Sequence, residues 1–210
     1  MLPYYLTVKQ TGSHEINIQK SRFIAHIKRA ETEEEAIAFI DQIKKEHWNA
    51  THNCSAYLIG ENDQIQKAND DGEPSGTAGV PMLEVLKKRK LKDTVVVVTR
   101  YFGGIKLGAG GLIRAYGKST SEGLNHVGIV ERKLMSTVSI KVDYGWLGKL
   151  ENELRSSVYA LQDILYADAV EFIVYVEEAQ VEQFHAWMIN LTNAQCEIEN
   201  GEQLYVEFDA

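Results

Sequence analysis

The chain has 210 residues, of which 44% are hydrophobic and 25% charged, and it carries a formal net charge of −8. This balance is typical of globular proteins and excludes general disorder, while the length predicts two domains. The chain has only two cysteines, and we see no signal peptide and no apolar run long enough to cross a bilayer. These features favour a cytoplasmic protein over a secreted or membrane one.

The first half of the chain alternates strands and helices. Its apolar patterns predict, in chain order, strands over residues 6–8, 14–19 and 22–28, a helix capped by Thr32, a hairpin of residues 55–60 with 64–67, and a short helix from Pro81. Residues 95–100 begin with four valines, which predicts a central strand covered on both faces. A last helix is predicted from about Leu107 to Asn125, with a buried stripe of Leu112, Ile113, Tyr116, Thr120 and Leu124.

The second half reads as a βαββαβ unit. Strands are predicted over residues 137–143, 161–166, 171–177 and 203–208. Two apolar stripes at helical spacing separate them: Leu147, Leu150, Leu154 and Val158, then Val181, Phe184, Met188 and Leu191. This order predicts a ferredoxin-like domain, and an α+β protein overall.

The two halves differ in charge. Residues 1–134 carry 19 Lys and Arg against 16 Asp and Glu, a net +3, whereas residues 135–210 carry 3 against 14, a net −11. Because an acidic domain repels a polyanion, we expect any nucleic-acid surface to lie on the first half. The shift predicts two domains, residues 1–134 and 135–210.

Residues 100–118 form the most unusual segment. Five glycines between positions 103 and 111 lie where a buried strand leads into a helix. Free N–H groups at the helix start, with Lys106 before it and Arg114 one turn into it, favour binding of a phosphate or carboxylate. The alternative is that the glycines only allow a tight turn and close helix–sheet packing. The spacing fits neither a Walker loop nor a dinucleotide fingerprint.

A second candidate is the acidic turn at residues 70–77. Asp70, Asp71 and Glu73 could bind a divalent cation or place an acid and a base. Their spacing is not that of a calcium loop, however, and solvated carboxylates with a Thr77 helix cap explain the segment almost as well. The run of basic residues at 87–92 fits phosphate contact and a solvated helix end equally well.

A third candidate combines His47, His52 and Cys54. A thiol beside two imidazoles would suit nucleophilic catalysis or zinc binding. His52 and Cys54 lie two residues apart on a predicted strand and therefore point to one face, but no third ligand is placed by the sequence. We expect Cys54 to be a small buried apolar residue.

Three separated motifs resemble the signature of the IMPACT family and its bacterial, YigZ-like branch. They are DDGEPSGTAG at 70–79, RYFGG at 100–104 and KLGAGGLIRAY at 106–116, and KSRFIA at 20–25 fits as well. The resemblance is close over about residues 15–130. In the acidic half, the resemblance is one of length and sequence pattern.

The resemblance implies a fold and a role. The first domain is expected to share the fold of the second domain of ribosomal protein S-five, and the acidic domain to resemble the ferredoxin-like fifth domain of elongation factor G. Eukaryotic relatives regulate translation initiation by competing for an activator of a stress kinase, with an extra N-terminal recruitment domain that is not found in this sequence. For bacterial members, nucleic-acid binding is the usual proposal.

We therefore expect a non-enzymatic, translation-associated regulator that binds RNA, the ribosome or a translation-related protein through the glycine-rich surface. The alternatives are a protein-interaction module without nucleic-acid binding, or an enzyme acting on a phosphorylated small molecule, by fold analogy with small-molecule kinases. No cofactor, metal ion, membrane or specific DNA sequence is expected as a ligand. In the RNA-binding hypothesis, cations line one groove and Tyr101 or Phe102 stacks on bases. The candidate binding residues are Asp71, Glu73, Ser75, Thr77, Arg100, Tyr101, Phe102, Gly103, Gly104, Lys106, Gly108, Gly110, Gly111, Arg114 and Lys118.

Overall fold

The computed structural model describes all 210 residues, which divide into two compact units. The first unit comprises Tyr5–Glu131 with Phe208–Ala210, and the second comprises Met1–Tyr4 with Arg132–Glu207. The strands are β1 (Tyr4–Val8), β2 (Gly12–Ile18), β3 (Ser21–Arg29), β4 (His52–Ile59), β5 (Ile65–Asn69), β6 (Thr94–Tyr101), β7 (Ile129–Val142), β8 (Ala160–Tyr166), β9 (Val170–Glu177) and β10 (Glu197–Asp209). The helices are α1 (Glu33–Glu46), α2 (Gly79–Lys88), α3 (Gly108–Val127), α4 (Leu147–Arg155) and α5 (Val181–Leu191).

The first unit is built on a five-stranded antiparallel sheet with the order β2-β3-β6-β4-β5. The central strand β6 explains why this segment is continuously apolar. Val95 and Val97 face the α1 side of the sheet, whereas Val96 and Val98 face the side covered by α2 and α3, and all four are fully buried. The prediction of a central strand covered on both faces is confirmed.

The starts of α1 and α2 are set by polar caps. The Thr32 hydroxyl accepts a hydrogen bond from the Glu35 amide at 3.2 Å, as its position before α1 predicts. Helix α2 is capped differently from the expectation, because the Thr77 hydroxyl donates to the Pro74 carbonyl instead of capping the helix. The carboxylate of Asp70 takes that role and accepts from the amides at the start of α2.

The second unit has the predicted βαββαβ order. β9 lies between β7 and β8, and β10 pairs with β7, so the strand order is that of a split βαβ unit. Helices α4 and α5 contribute Leu150, Leu154, Phe184 and Met188 to a core with the inward residues of β7 and β9. The α+β class is thus confirmed.

Two predicted helical positions are corrected. Val158 is 87% exposed because α4 already ends at Arg155, and Ile113 is 45% exposed because the buried stripe of α3 runs through Ala115 and Ser119 instead. No helix combines the length and the apolar character that crossing a bilayer requires.

Candidate functional site

A pocket of about 450 Å³ opens in the first unit where β6 ends and α3 begins. Its walls come from the start of β4, the acidic turn before α2, the end of β6 and the first turn of α3. The lining residues are Thr51, His52, Glu73, Pro74, Arg100, Phe102, Lys106, Leu107, Gly108, Ala109 and Leu112. The structure thus brings together residues from all three segments singled out in the sequence: the glycine-rich junction, the acidic turn and, through His52, the segment with the two histidines and Cys54.

A buried ion pair forms the floor of this pocket. Glu73 and Arg100 are only 8% and 5% exposed, and Arg100 Nη1 donates to Glu73 Oε1 at 2.6 Å. The Tyr116 hydroxyl donates to the same oxygen at 2.7 Å. Burial raises the pKa of the Tyr116 phenol, and the neighbouring Cys54 and Glu73 raise it further, so the phenol stays a neutral donor. The negative charge of Glu73 therefore compensates the positive charge of Arg100 inside the protein.

The orientation of Arg100 follows from strand alternation. Arg100 lies two residues after Val98 and points to the same face, where its guanidinium packs over the rings of Phe23 and Phe102, at 5.4 Å from each centroid. Arg100 lines the pocket, but it is not a surface cation. Its positive charge is already compensated by Glu73.

His52 connects the acidic turn to the pocket. Its Nδ1 lies 2.8 Å from the carbonyl oxygen of Asp71, and since a carbonyl only accepts, Nδ1 must carry the proton. Its Nε2 then faces Oε2 of Glu73 at 3.7 Å. The carboxylate of Asp71 is itself engaged, by Lys44 Nζ at 2.7 Å and by the Asn53 amide at 2.7 Å.

The two aspartates of the turn hold the backbone of the site. Asp70 accepts from the amides of Gly76, Ala78 and Gly79 at 2.8–3.1 Å, which orders the loop and caps α2. Burial acts to raise the pKa of the Asp70 carboxyl, but these three amides outweigh it, and the pKa lies below its ordinary value of 3.8. For Asp71, burial is likewise outweighed by Lys44 and Asn53, and its pKa is also lowered.

These lowered pKa values predict acid sensitivity of the fold. A carboxyl whose pKa is lower in the folded state stabilises the protein above its unfolded pKa, and this contribution is lost as the pH falls through the folded pKa. We expect the contribution of Asp70 to the free energy of unfolding to stay nearly constant between about pH 7 and pH 5. This contribution should decrease when the pH is lowered further, below about pH 4. Urea unfolding of Asp70→Asn should show a weaker fall than the unsubstituted protein. Asp41→Asn, on the exposed face of α1, is the control, and equal falls in all three proteins would contradict the assignment.

The start of α3 carries amides that no side chain caps. Gly108 opens the helix with a φ of +69°, a conformation that suits glycine, and Gly108, Ala109 and Gly110 are exposed. Lys106 and Arg114 are exposed as well and neither forms an ion pair. Unpaired N–H groups and two free cations therefore lie at one end of the helix.

The two glycines before the helix differ in their surroundings. A Cβ on Gly103 would come within 2.0 Å of the Lys20 carbonyl oxygen, so no larger residue fits there. Gly104 has a φ of +87° and open space around it. Of the two readings of the glycine-rich segment, packing accounts for Gly103, whereas an open backbone describes Gly104 and Gly108.

The other predicted residues occupy varied positions. Phe102 is 46% exposed at the pocket mouth. The Tyr101 side chain lies on the α1 side of the sheet, where its hydroxyl is 2.8 Å from Nδ1 of His47. Ser75 is exposed, and Thr77 is buried. Gly110 and Gly111 lie in the first turn of α3, and Lys118 lies farther along that helix, 3.6 Å from Glu122.

Cys54 is buried beneath the pocket. Its thiol donates to the Asp70 carbonyl at 3.0 Å, and burial raises its pKa to about 12. A thiol with such a pKa is a poor nucleophile at neutral pH. Thr51 and the roles of His52 and Tyr116 were not predicted from the sequence, although strand alternation already places His52 and Cys54 on one face. No group of three or more His, Cys, Asp or Glu side chains is arranged to hold a metal ion.

Comparison with known proteins agrees with this architecture. The Impact N-terminal domain family matches residues 19–124, and a domain of unknown function, DUF1949, matches residues 140–195. The chain is 68% identical over 207 residues to the IMPACT family member YvyE of Bacillus subtilis (strain 168), covering 99% of this chain and 95% of the relative. It is 32% identical over 183 residues to YigZ of Escherichia coli (strain K12), covering 86% and 90%.

A solved structure supports the fold along the whole chain. A crystal structure of a hypothetical protein superposes with a TM-score of 0.62 at 29% identity, covering 96% of this chain and 99% of that one. The fold and the pocket define a two-domain α+β protein with a glycine-rich strand–helix junction. The chain belongs to the IMPACT family.

Proposed function

We propose that this protein is a non-enzymatic, translation-associated regulator in the cytoplasm, and that it binds RNA, free or on the ribosome, at the start of α3. The observation that carries the proposal is the coincidence of uncapped helix amides with two unpaired cations, Lys106 and Arg114, beside a pocket. Such a helix terminus favours a phosphate group. The two-domain arrangement, residues 1–134 and 135–210, would leave this surface on the less acidic half.

Electrostatics supports an anionic ligand at the lip of the pocket rather than at its floor. The ion pair of Glu73 with Arg100 is close to neutral as a unit, so the floor adds little net attraction. Lys106 and Arg114 have no acid partner, and their charges add to the partial positive charge of the helix start. Lys118 contributes less because Glu122 is 3.6 Å away.

An exposed aromatic ring supports RNA over a simple anion. The Phe102 ring is about half exposed at the pocket mouth, and Arg100 packs over it at 5.4 Å, which holds the ring in place. Single-stranded nucleic acid is bound by such a combination of an aromatic platform and nearby cations. Tyr101 is not part of this platform, because its hydroxyl is held by His47 on the opposite side of the sheet.

Filter binding with single-stranded RNA across a salt series tests the proposal. Each phosphate contact on a single strand contributes about −0.7 to the slope of log K against log salt concentration. We expect a linear fall in affinity with a slope of roughly −1.4 or steeper, because Lys106 and Arg114 each neutralise one phosphate. An affinity that does not change with salt would contradict phosphate contact.

A protein partner is the second candidate, because Phe102, Ile105 and Ile113 are large apolar side chains that are 40–46% exposed near the same helix start. Exposed apolar side chains of this size favour protein contacts when they lie together. In this alternative, affinity purification after nuclease treatment recovers a translation-related protein and no RNA.

A further inference from the structure

Two hydrogen-bond acceptors face the pocket from its floor. Oε1 of Glu73 is occupied by Arg100 and Tyr116, whereas Oε2 receives no hydrogen bond, although the side chain is only 4% exposed. Because Nδ1 of His52 donates to the Asp71 carbonyl, Nε2 is the ring nitrogen left to accept a hydrogen bond on the pocket side. The two atoms lie 3.7 Å apart. Oε2 is therefore a free acceptor on the pocket wall, which a ligand or a solvent donor can reach.

Two neighbouring acceptors select a ligand with two neighbouring donors. Among the four RNA bases, guanine alone offers this pattern on its Watson–Crick edge, through N1–H and the N2 amino group. Adenine and cytosine present a donor next to an acceptor, and uracil presents a single donor between two acceptors. An acceptor of the base would face Glu73 Oε2 or His52 Nε2 without a proton between them, which is repulsive.

We propose that the pocket binds one unpaired guanosine nucleotide. The Watson–Crick edge of the base donates to Glu73 Oε2 and His52 Nε2, the base stacks on Phe102, and the phosphate lies against Lys106 and the amides at the start of α3. This inference rests on the proposed function for the phosphate position. It adds a base preference that the floor of the pocket carries independently.

The pocket has the size and shape for such a ligand. Its volume of about 450 Å³ lies within the range of about 300–1,000 Å³ that small-molecule sites occupy. The acceptors are at its floor and the cation and helix amides at its lip, so a ligand must carry donors at one end and an anion at the other. A nucleotide has this polarity. A purely cationic ligand does not, because Lys106 would repel it.

Competition binding with matched RNA octamers tests the proposal. The octamers are uridine chains with one central guanosine, adenosine or inosine, and inosine lacks only the N2 amino group. We expect the guanosine octamer to bind about tenfold more tightly than the adenosine octamer and several-fold more tightly than the inosine octamer. In a second arm, free guanosine 5′-monophosphate displaces the labelled guanosine octamer, whereas adenosine 5′-monophosphate does so about tenfold less well.

The choice of variant separates recognition from folding. Glu73 also holds Arg100, so the test variant is His52→Ala, which leaves that ion pair intact. We expect His52→Ala to reduce the ratio of guanosine to adenosine affinity by several-fold. Phe102→Ser should weaken all three octamers together, because stacking does not distinguish bases.

The outcomes distinguish this inference from the proposed function. Equal, salt-dependent binding of all three octamers would overturn the guanosine preference and leave RNA binding in place. Binding of free guanosine 5′-monophosphate without binding of any octamer would support the pocket assignment and overturn RNA as the physiological ligand. Binding of neither would overturn both.

Discussion

Replacing Glu73 with alanine is expected to lower the free energy of unfolding by about 3–5 kcal/mol, the range for removing one partner of a buried ion pair. The substitution leaves the guanidinium of Arg100, which is 5% exposed, without its charge partner, and it removes the acceptor of the Tyr116 hydroxyl. The measurement is urea unfolding at pH 7, monitored by the protein's fluorescence.

The same experiment includes its own controls. Ser75→Ala changes an exposed residue of the same turn that makes no hydrogen bond. We expect it to change the free energy of unfolding by less than about 0.5 kcal/mol. The double variant Glu73→Ala with Arg100→Met should lose less free energy of unfolding than the two single variants lose in sum, because it leaves no unpaired charge. A loss below about 1 kcal/mol for Glu73→Ala would mean that the ion pair does not hold the pocket floor.

Removing the two free cations at the start of α3 is expected to weaken RNA binding by roughly ten- to a hundredfold at moderate salt. In Lys106→Ala with Arg114→Ala, the slope of log K against log salt concentration should become shallower by about 1.4, since two single-strand phosphate contacts are lost. Both side chains are exposed and unpaired, so their removal should change the free energy of unfolding by less than about 0.5 kcal/mol.

The matched control is Lys45→Ala. Lys45 is an exposed lysine near the end of α1, on the opposite face of the sheet from α3. It removes the same type of charge without touching the proposed surface, and we expect no change in the salt slope. If Lys45→Ala weakened binding as much as Lys106→Ala with Arg114→Ala, the attraction would not depend on the start of α3.

Local sequence patterns predicted most of the fold. The four valines of β6 cannot alternate with polar residues, so only a strand with two covered faces accommodates them, and the structure has this arrangement. The βαββαβ order of the second unit followed from two helical stripes between alternating strands. Element ends were less certain. Val158, for example, lies beyond the end of α4.

The site was harder to predict because its contacts are distant in sequence. Glu73 is 27 positions from Arg100 and 43 from Tyr116, so no local pattern links them. Strand alternation does place Arg100 on the same face as Val98, and this signal favours a buried arginine over a surface one. The role of His52 depends on the Asp71 carbonyl, which only the folded turn brings within 2.8 Å.

The central claim is that the amides at the start of α3 receive a phosphate of the ligand, and NMR titration with a single-stranded RNA octamer tests it most directly. We expect the amide resonances of Gly108, Ala109 and Gly110 to shift downfield and to saturate together. In the same titration, the amide resonances of α1 around Lys45 should change less. Saturable shifts elsewhere in the protein, with these three amides unchanged, would contradict the account.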